Sequence, residues 1–199
     1  MGNDTKEKKF CPSCGENVDT YFVDRSGGVE SEGKKKGDIC CIFCGMIVED
    51  ISGNDVIPAK SILISDDSAM VRELITDMLK ENGLTKDVIA SKDGSDFITL
   101  FVKKISKKTP FSLVILDVSM PILNGVNAAI AMRAIEKALK MKSTPVLFFT
   151  AQKCDENFKK VLTYCKPALY VNKGISSTPD LLASRVSQVI IKLLKDIKS

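Results

Sequence analysis

The chain has 199 residues, of which 44% are hydrophobic, and it is long enough for one full domain and a small additional module. It contains no histidine, which excludes histidine-based catalysis and any metal site that uses imidazole. No apolar stretch approaches the roughly 20 residues that a membrane-spanning helix requires, and residues 1–9 are too polar for a secretory signal. We therefore expect a cytoplasmic protein with no membrane partner.

The net charge of +4 conceals an asymmetry along the chain. Residues 1–59 carry seven basic and eleven acidic side chains, whereas residues 60–199 have a net charge of +8. The basic residues are not interleaved with aromatic side chains, as they are in many nucleic-acid-binding surfaces. The pattern therefore disfavours a nucleic-acid partner.

The N-terminal part of the chain contains two Cys-x-x-Cys motifs, each followed by glycine. Cys11 and Cys14 form the first motif, and Cys41 and Cys44 form the second. Four thiolates are the tetrahedral ligand set of Zn²⁺, although iron bound in the manner of rubredoxin is an alternative. Cys40 competes with Cys41 for one position, but the spacing and the following glycine favour Cys41.

These two motifs resemble the knuckles of the zinc ribbon family over roughly residues 8–50. The resemblance implies a structural zinc ion with no coordination position left open for water. So small a module has little core of its own, so metal binding would supply much of its folding energy. We predict a zinc ribbon in residues 1–50, a polar linker in residues 51–59 and a second domain in residues 60–199.

Strands and helices alternate in the second domain. The sequence predicts a first helix that begins at Asp67 or Ser68 and ends near Asn82. The other predicted elements are strands over residues 61–65, 87–90, 111–116, 144–149 and 168–171, and helices over residues 93–106, 125–141, 154–165 and 179–195. Five such units predict an α/β fold, a doubly wound parallel sheet with helices on both faces.

Polar side chains follow four of these strands. Asp66 and Asp67 follow the first strand, Asp117 the third, Thr150 the fourth and Lys173 the fifth. Three carboxylates cannot cluster in ionised form unless a cation compensates them, and an oxygen-only site at an open sheet edge suits Mg²⁺. A hydroxyl and an ammonium group suit the other oxygens of a phosphoryl group.

The order and placement of these residues, with Met120-Pro121 and Asn124-Gly125 after Asp117, resemble the response regulator receiver (CheY-like) domain. The resemblance extends over residues 60–195 and implies a five-stranded flavodoxin-like sheet. It also implies that Asp117 accepts a phosphoryl group that Lys173 helps to hold. Thr150 and Tyr170 would then change conformation as the switch.

The same resemblance implies a Mg²⁺ site. Asp67 and Asp117 would ligate through carboxylate oxygens, Ser119 through its backbone carbonyl, and Asp66 through water. The chain departs from the family at Gly174, where proline in a cis peptide usually follows the lysine. We expect a trans bond or a flexible loop here, because a non-proline cis bond costs about 3–4 kcal/mol.

The predicted function is that of a two-component response regulator that catalyses only its own phosphorylation and dephosphorylation. Its partners would be a sensor histidine kinase or phosphotransfer protein and an effector protein that the sequence does not identify. One alternative is a haloacid-dehalogenase-like phosphatase, but that family requires a second acid where this chain has Ser119. The other is a zinc-ribbon scaffold or nucleic-acid-binding protein with a constitutive receiver.

Overall fold

A computed structural model describes residues 8–24, 37–49, 58–174 and 178–196. The predicted linker, residues 51–59, lies outside the described residues except at its last two positions. None of the described helices is both long enough and apolar enough to cross a membrane.

The N-terminal module consists of two small antiparallel sheets. One sheet pairs β1 with β2, and the other has the order β3-β4-β5. The tight turns after both cysteine motifs use glycine in the left-handed region, with φ of +80° at Gly15 and +73° at Gly45. The five strands are β1 (Lys9–Cys11), β2 (Glu16–Val18), β3 (Thr20–Asp24), β4 (Gly37–Cys41) and β5 (Ile47–Glu49).

The second domain is a five-stranded parallel sheet with the order β10-β9-β8-β6-β7. This confirms the predicted doubly wound, CheY-like fold. Its strands are β6 (Ile62–Ser65), β7 (Val88–Ser91), β8 (Leu113–Asp117), β9 (Val146–Thr150) and β10 (Ala168–Asn172). Its helices are α1 (Ala69–Glu81), α2 (Gly94–Ser106), α3 (Gly125–Ala138), α4 (Glu156–Tyr164) and α5 (Pro179–Asp196).

The three central strands, β6, β8 and β9, are buried at every position. Apolar residues that point to both faces of a parallel sheet explain this, since helices cover both sides. The chain turns from strand to helix at capping residues. Ser68 accepts a hydrogen bond from Val71 N–H at the start of α1, and Asn124 accepts one from Asn127 N–H at the start of α3.

Helix α3 ends at Ala138, three residues before the predicted end. Leu139 caps the helix, and Lys140 follows with a φ of +52°. Met141 N–H then donates to Glu136 O at 2.9 Å, which closes the last turn. The sequence did not indicate this end because a lysine, and not a glycine, takes the left-handed position.

The module and the parallel sheet share one continuous apolar core. Cys11, Cys14, Cys41 and Met46 from the module belong to the same buried cluster as the strands of the sheet. The two parts of the chain are therefore packed together, and this contact determines the surroundings of β10 and α5.

Candidate functional site

The carboxyl ends of four neighbouring strands meet at one edge of the sheet. Asp117 is the last residue of β8 and Thr150 is the last residue of β9. Asp66 and Asp67 directly follow β6, and Lys173 directly follows β10. The parallel register aligns these ends, as the predicted topology required.

The three acidic side chains form a cluster. Carboxylate oxygens of Asp66, Asp67 and Asp117 all lie within 4.8 Å of one another. Asp66 and Asp117 are buried, whereas Asp67 is exposed, so the cluster opens to solvent on one side. Ser119 lies exposed in the loop two residues after Asp117. Oxygen donors converging at an accessible edge fit the ligand preference of Mg²⁺.

Lys173 lies beside this cluster. Its Nζ is 2.7 Å from Asp66 Oδ2 and 3.0 Å from Asp117 Oδ1. The same ammonium group lies 5.0 Å from the centroid of the Phe149 ring. The Lys173–Gly174 bond is not among the cis peptides of the described residues, in agreement with the expectation for glycine at this position.

Local hydrogen bonds hold Asp66 in position. Its Oδ1 accepts from Ser68 N–H at 3.0 Å, and its backbone oxygen accepts from the Arg72 guanidinium at 2.8 Å. Burial raises the pKa of the Asp66 carboxyl, while the hydrogen bond from Lys173 acts in the opposite direction. A cation at this position would favour the ionised carboxylate further.

The two candidate switch residues are both buried but have different neighbours. Thr150 is buried, and its hydroxyl accepts from Gln152 N–H at 3.1 Å. Tyr170 is also buried, and its ring packs edge-on against Phe158 at 5.8 Å between centroids. The Tyr170 hydroxyl lies 3.0 Å from Cys14 Sγ, so it contacts the N-terminal module directly.

The second candidate site is in that module. The sulfurs of Cys11, Cys14, Cys41 and Cys44 lie within 4.8 Å of one another, and Cys40 is outside this cluster. Two of the S–S distances are 3.6 and 3.7 Å. Zn–S bonds of about 2.3 Å in a tetrahedron give sulfurs about 3.8 Å apart, so the four side chains fit a zinc ion.

The four thiols influence one another strongly. Hydrogen bonding with Cys11 lowers the pKa of the Cys41 thiol, and hydrogen bonding with the same residue raises the pKa of Cys44. Four adjacent thiolates repel one another, so protons are retained on part of the cluster unless a cation takes their place. Metal binding here would consequently release protons.

Sequence reasoning missed three residues that join the module to the sheet: Ser13, Asn172 and Arg185. Asn172 N–H donates to Ser13 O at 2.9 Å, and the Arg185 guanidinium donates to Pro12 O at 2.8 Å. The one signal in the sequence was an arginine among the apolar residues of α5. Contacts between distant parts of a chain leave no local pattern.

Comparison with known proteins identifies the family. Residues 62–184 match the response regulator receiver domain family. The match covers more than half of the chain, so the chain belongs to this family. The matched region is thus a receiver domain, as the order of the residues at the strand ends predicted.

The curated relatives match part of the chain. The chain is 30% identical over 150 residues to hybrid signal transduction histidine kinase I of Dictyostelium discoideum, covering 75% of the chain and 8% of that protein. It is 29% identical over 135 residues to a protein-glutamate methylesterase/protein-glutamine glutaminase of Methanococcus maripaludis, covering 68% of the chain and 34% of that protein. The chain therefore spans far less than two thirds of the length of either relative.

A solved structure has the same fold. The receiver domain of the histidine kinase CKI1 from Arabidopsis thaliana, complexed with Mg²⁺ and BeF3⁻, superimposes with a TM-score of 0.51. It covers 64% of this chain and 90% of that chain, at 20% identity. At this identity the likeness concerns the fold alone.

Proposed function

We propose that Asp117 is the residue that accepts the phosphoryl group in this receiver domain. The observation that carries the proposal is the convergence of Asp66, Asp67 and Asp117 within 4.8 Å, beside the ammonium group of Lys173. Mg²⁺ would be held by carboxylate oxygens of Asp67 and Asp117 and by the backbone carbonyl of Ser119, with Asp66 acting through water.

The chemistry follows from the positions of these groups. An oxygen of Asp117 attacks phosphorus in line, an O–P bond forms, and the bond between phosphorus and the donor nitrogen of a phosphohistidine breaks. Mg²⁺ at the acidic cluster would supply positive charge to the transferring group. Lys173 Nζ, 3.0 Å from Asp117 Oδ1, is placed to contact a phosphoryl oxygen.

Phosphorylation would be transmitted by Thr150 and Tyr170. The acyl phosphate adds about −1.5 to −2 charges at the end of β8, within reach of residues at the ends of β9 and β10. Thr150 would move its hydroxyl towards a phosphoryl oxygen, and Tyr170 would change its packing in response. The partners we propose are a sensor histidine kinase or phosphotransfer protein as donor and an effector protein as receiver of the signal.

We further propose that the four-cysteine cluster binds Zn²⁺ as a structural ion in a zinc ribbon of residues 1–50, joined to a receiver domain of residues 60–199. All four ligand positions would be filled by sulfur, so no position remains for catalytic water. The need for reduced thiols favours a reducing compartment such as the cytoplasm. The catalytic activity we propose is confined to phosphorylation and dephosphorylation of the chain itself.

Substitution of Asp117 tests the central assignment. We expect the purified protein to gain one phosphoryl group from acetyl phosphate and Mg²⁺, detected by intact mass, and Asp117→Asn to gain none. Asp77→Asn, which replaces an exposed carboxylate on α1, is the matched control and should be labelled normally. Undiminished labelling of Asp117→Asn would show that another group accepts the phosphate.

A further inference from the structure

The module covers one edge of the parallel sheet, at strand β10. β10 is an outer strand, hydrogen-bonded to β9 on one side only. On its other side, Asn172 N–H donates to Ser13 O at 2.9 Å, and the Ser13 hydroxyl donates to Tyr170 O. An open strand edge normally attracts another chain. Here the first cysteine knuckle, residues 11–15, takes that place.

Arg185, on helix α5, makes further hydrogen bonds to this knuckle. Its side chain is 1% exposed, and its guanidinium donates to Pro12 O at 2.8 Å and to Ser13 O at 3.1 Å. Gly15 packs so closely against this guanidinium that an added Cβ would overlap it. A buried guanidinium is tolerated only with such partners. The knuckle therefore packs closely against β10 and α5.

The same contacts connect the two candidate sites. On the module side, Ser13 lies between Cys11 and Cys14 in the knuckle, and Cys14 Sγ is 3.0 Å from the Tyr170 hydroxyl. On the sheet side, Asn172 directly precedes Lys173, whose backbone N–H donates to Thr150 O at 2.7 Å. The side chain of Lys173 reaches Asp117. One short segment thus contacts both the cysteine cluster and the phosphoacceptor.

We propose that the metal-bound knuckle is a clamp that positions the end of β10, so that metal binding by the four cysteines and ligand binding at the acidic cluster strengthen each other. The inference rests on the zinc site and the phosphoacceptor site proposed above. Metal would fix the backbone of Ser13, which holds Asn172 and thereby Lys173. Such coupling is reciprocal, because each ligand must raise the affinity for the other by the same factor.

The test uses the full chain, with Mg²⁺ and BeF3⁻ as probes of the acidic cluster and elemental analysis for zinc. We expect the zinc-loaded protein to bind BeF3⁻ in the presence of Mg²⁺ at least about fivefold more tightly than the protein stripped by a chelator. In the reverse experiment, BeF3⁻ with Mg²⁺ should raise zinc affinity by the same factor. Equal BeF3⁻ affinities for the loaded and stripped proteins would overturn the clamp.

Matched variants separate the clamp from the metal site. Cys41→Ser should lose zinc and bind BeF3⁻ more weakly, whereas Cys40→Ser, which alters the neighbouring cysteine outside the cluster, should retain both properties. Arg185→Gln, which removes the guanidinium contacts with Pro12 O and Ser13 O, should retain zinc but lose most of the coupling. Ser13→Ala, which removes the hydroxyl contact with Tyr170 O and keeps the backbone contact with Asn172, should retain zinc and lose part of the coupling. Circular dichroism verifies that each variant is folded. If Arg185→Gln does not fold, Ser13→Ala still tests the clamp.

The possible results separate the clamp from the zinc site and the phosphoacceptor site on which it rests. Full coupling in both Ser13→Ala and Arg185→Gln, or a zinc-free Cys41→Ser that binds BeF3⁻ as tightly as the zinc-loaded protein, would overturn the clamp while leaving the phosphoacceptor assignment intact. A chain that binds no zinc would overturn the clamp together with the zinc site. A zinc-loaded chain that does not bind BeF3⁻ would overturn the clamp together with the acidic site.

Discussion

Lys173 compensates only part of the charge of the acidic cluster. Its ammonium group lies 2.7 Å from Asp66 and 3.0 Å from Asp117, while Asp67 provides a third carboxylate nearby. Three carboxylates with one ammonium leave an excess of two negative charges. This excess favours a divalent cation, and burial of Asp66 makes that compensation more important.

Burial controls the reactivity of the Cys154 thiol. Desolvation raises the pKa of its thiol to about 11, and burial likewise raises the pKa of Cys165. A thiol with a raised pKa remains protonated and unreactive at neutral pH. Burial thus disfavours a redox role for either thiol.

We therefore expect alkylation of Cys154 by iodoacetamide to be slow at pH 7.5 and to accelerate about tenfold per pH unit up to about pH 11. The modified peptide can be measured by mass spectrometry. Protein unfolded in urea is the control, because its cysteines titrate near the ordinary value of about 8.5. A rate that levels off near pH 8 in the native protein would contradict the assigned burial.

The joint between β8 and α3 lies next to Asp117, the proposed phosphoacceptor. Gly125 N–H donates to Val118 O at 3.1 Å, and an added Cβ on Gly125 would overlap the backbone oxygen of Asp117. Only glycine allows the start of α3 to approach the end of β8 so closely. The glycine is therefore required for packing beside Asp117, the proposed phosphoacceptor.

Gly125→Ala should lower the free energy of unfolding by about 1–3 kcal/mol, because α3 must move away from β8. Urea denaturation measures this loss, and BeF3⁻ affinity should fall as well. Gly174→Ala is the matched control, since its added Cβ would meet nothing closer than 3.4 Å. Equal stability of the two variants would show that the joint tolerates a larger separation.

The strand ends were predictable because they depend on local patterns. Buried apolar runs predicted β6, β8 and β9, and a parallel sheet necessarily brings their carboxyl ends together. The end of α3 was not predictable, because Lys140 adopts a left-handed conformation that its side chain does not favour. The position of the cysteine knuckle against β10 was not predictable either, since it depends on contacts between distant segments.

At the scale of the whole molecule, the described residues of the module and of the sheet contribute to the same core. The exposed ion pair between Lys153 and Glu16, at 3.5 Å, adds little to this interface. The buried contacts of Arg185 and Tyr170 contribute more, because they provide hydrogen-bond partners for polar groups in the interior. Loss of metal should consequently destabilise the sheet as well as the module.

The zinc-loaded chain should unfold in one calorimetric transition, and a chelator should lower its Tm. Zinc at about 1,000 times its Kd stabilises a folded protein by about 4.1 kcal/mol, which corresponds to roughly 8–16 °C for a chain of this size. Cys41→Ser, treated with the same chelator, should show no shift. Two separate transitions, with that of the sheet unaffected by chelation, would show that the two parts unfold independently.

The contact between Pro12 and Arg185 spans 173 residues, which has a consequence for biosynthesis. The knuckle leaves the ribosome before the helix it contacts, because Arg185 is translated 173 residues after Pro12. The cysteines can therefore acquire their ion while the docking surface does not yet exist. Closure of the knuckle onto α5 then becomes a late event, completed after the strands of the sheet have been synthesised.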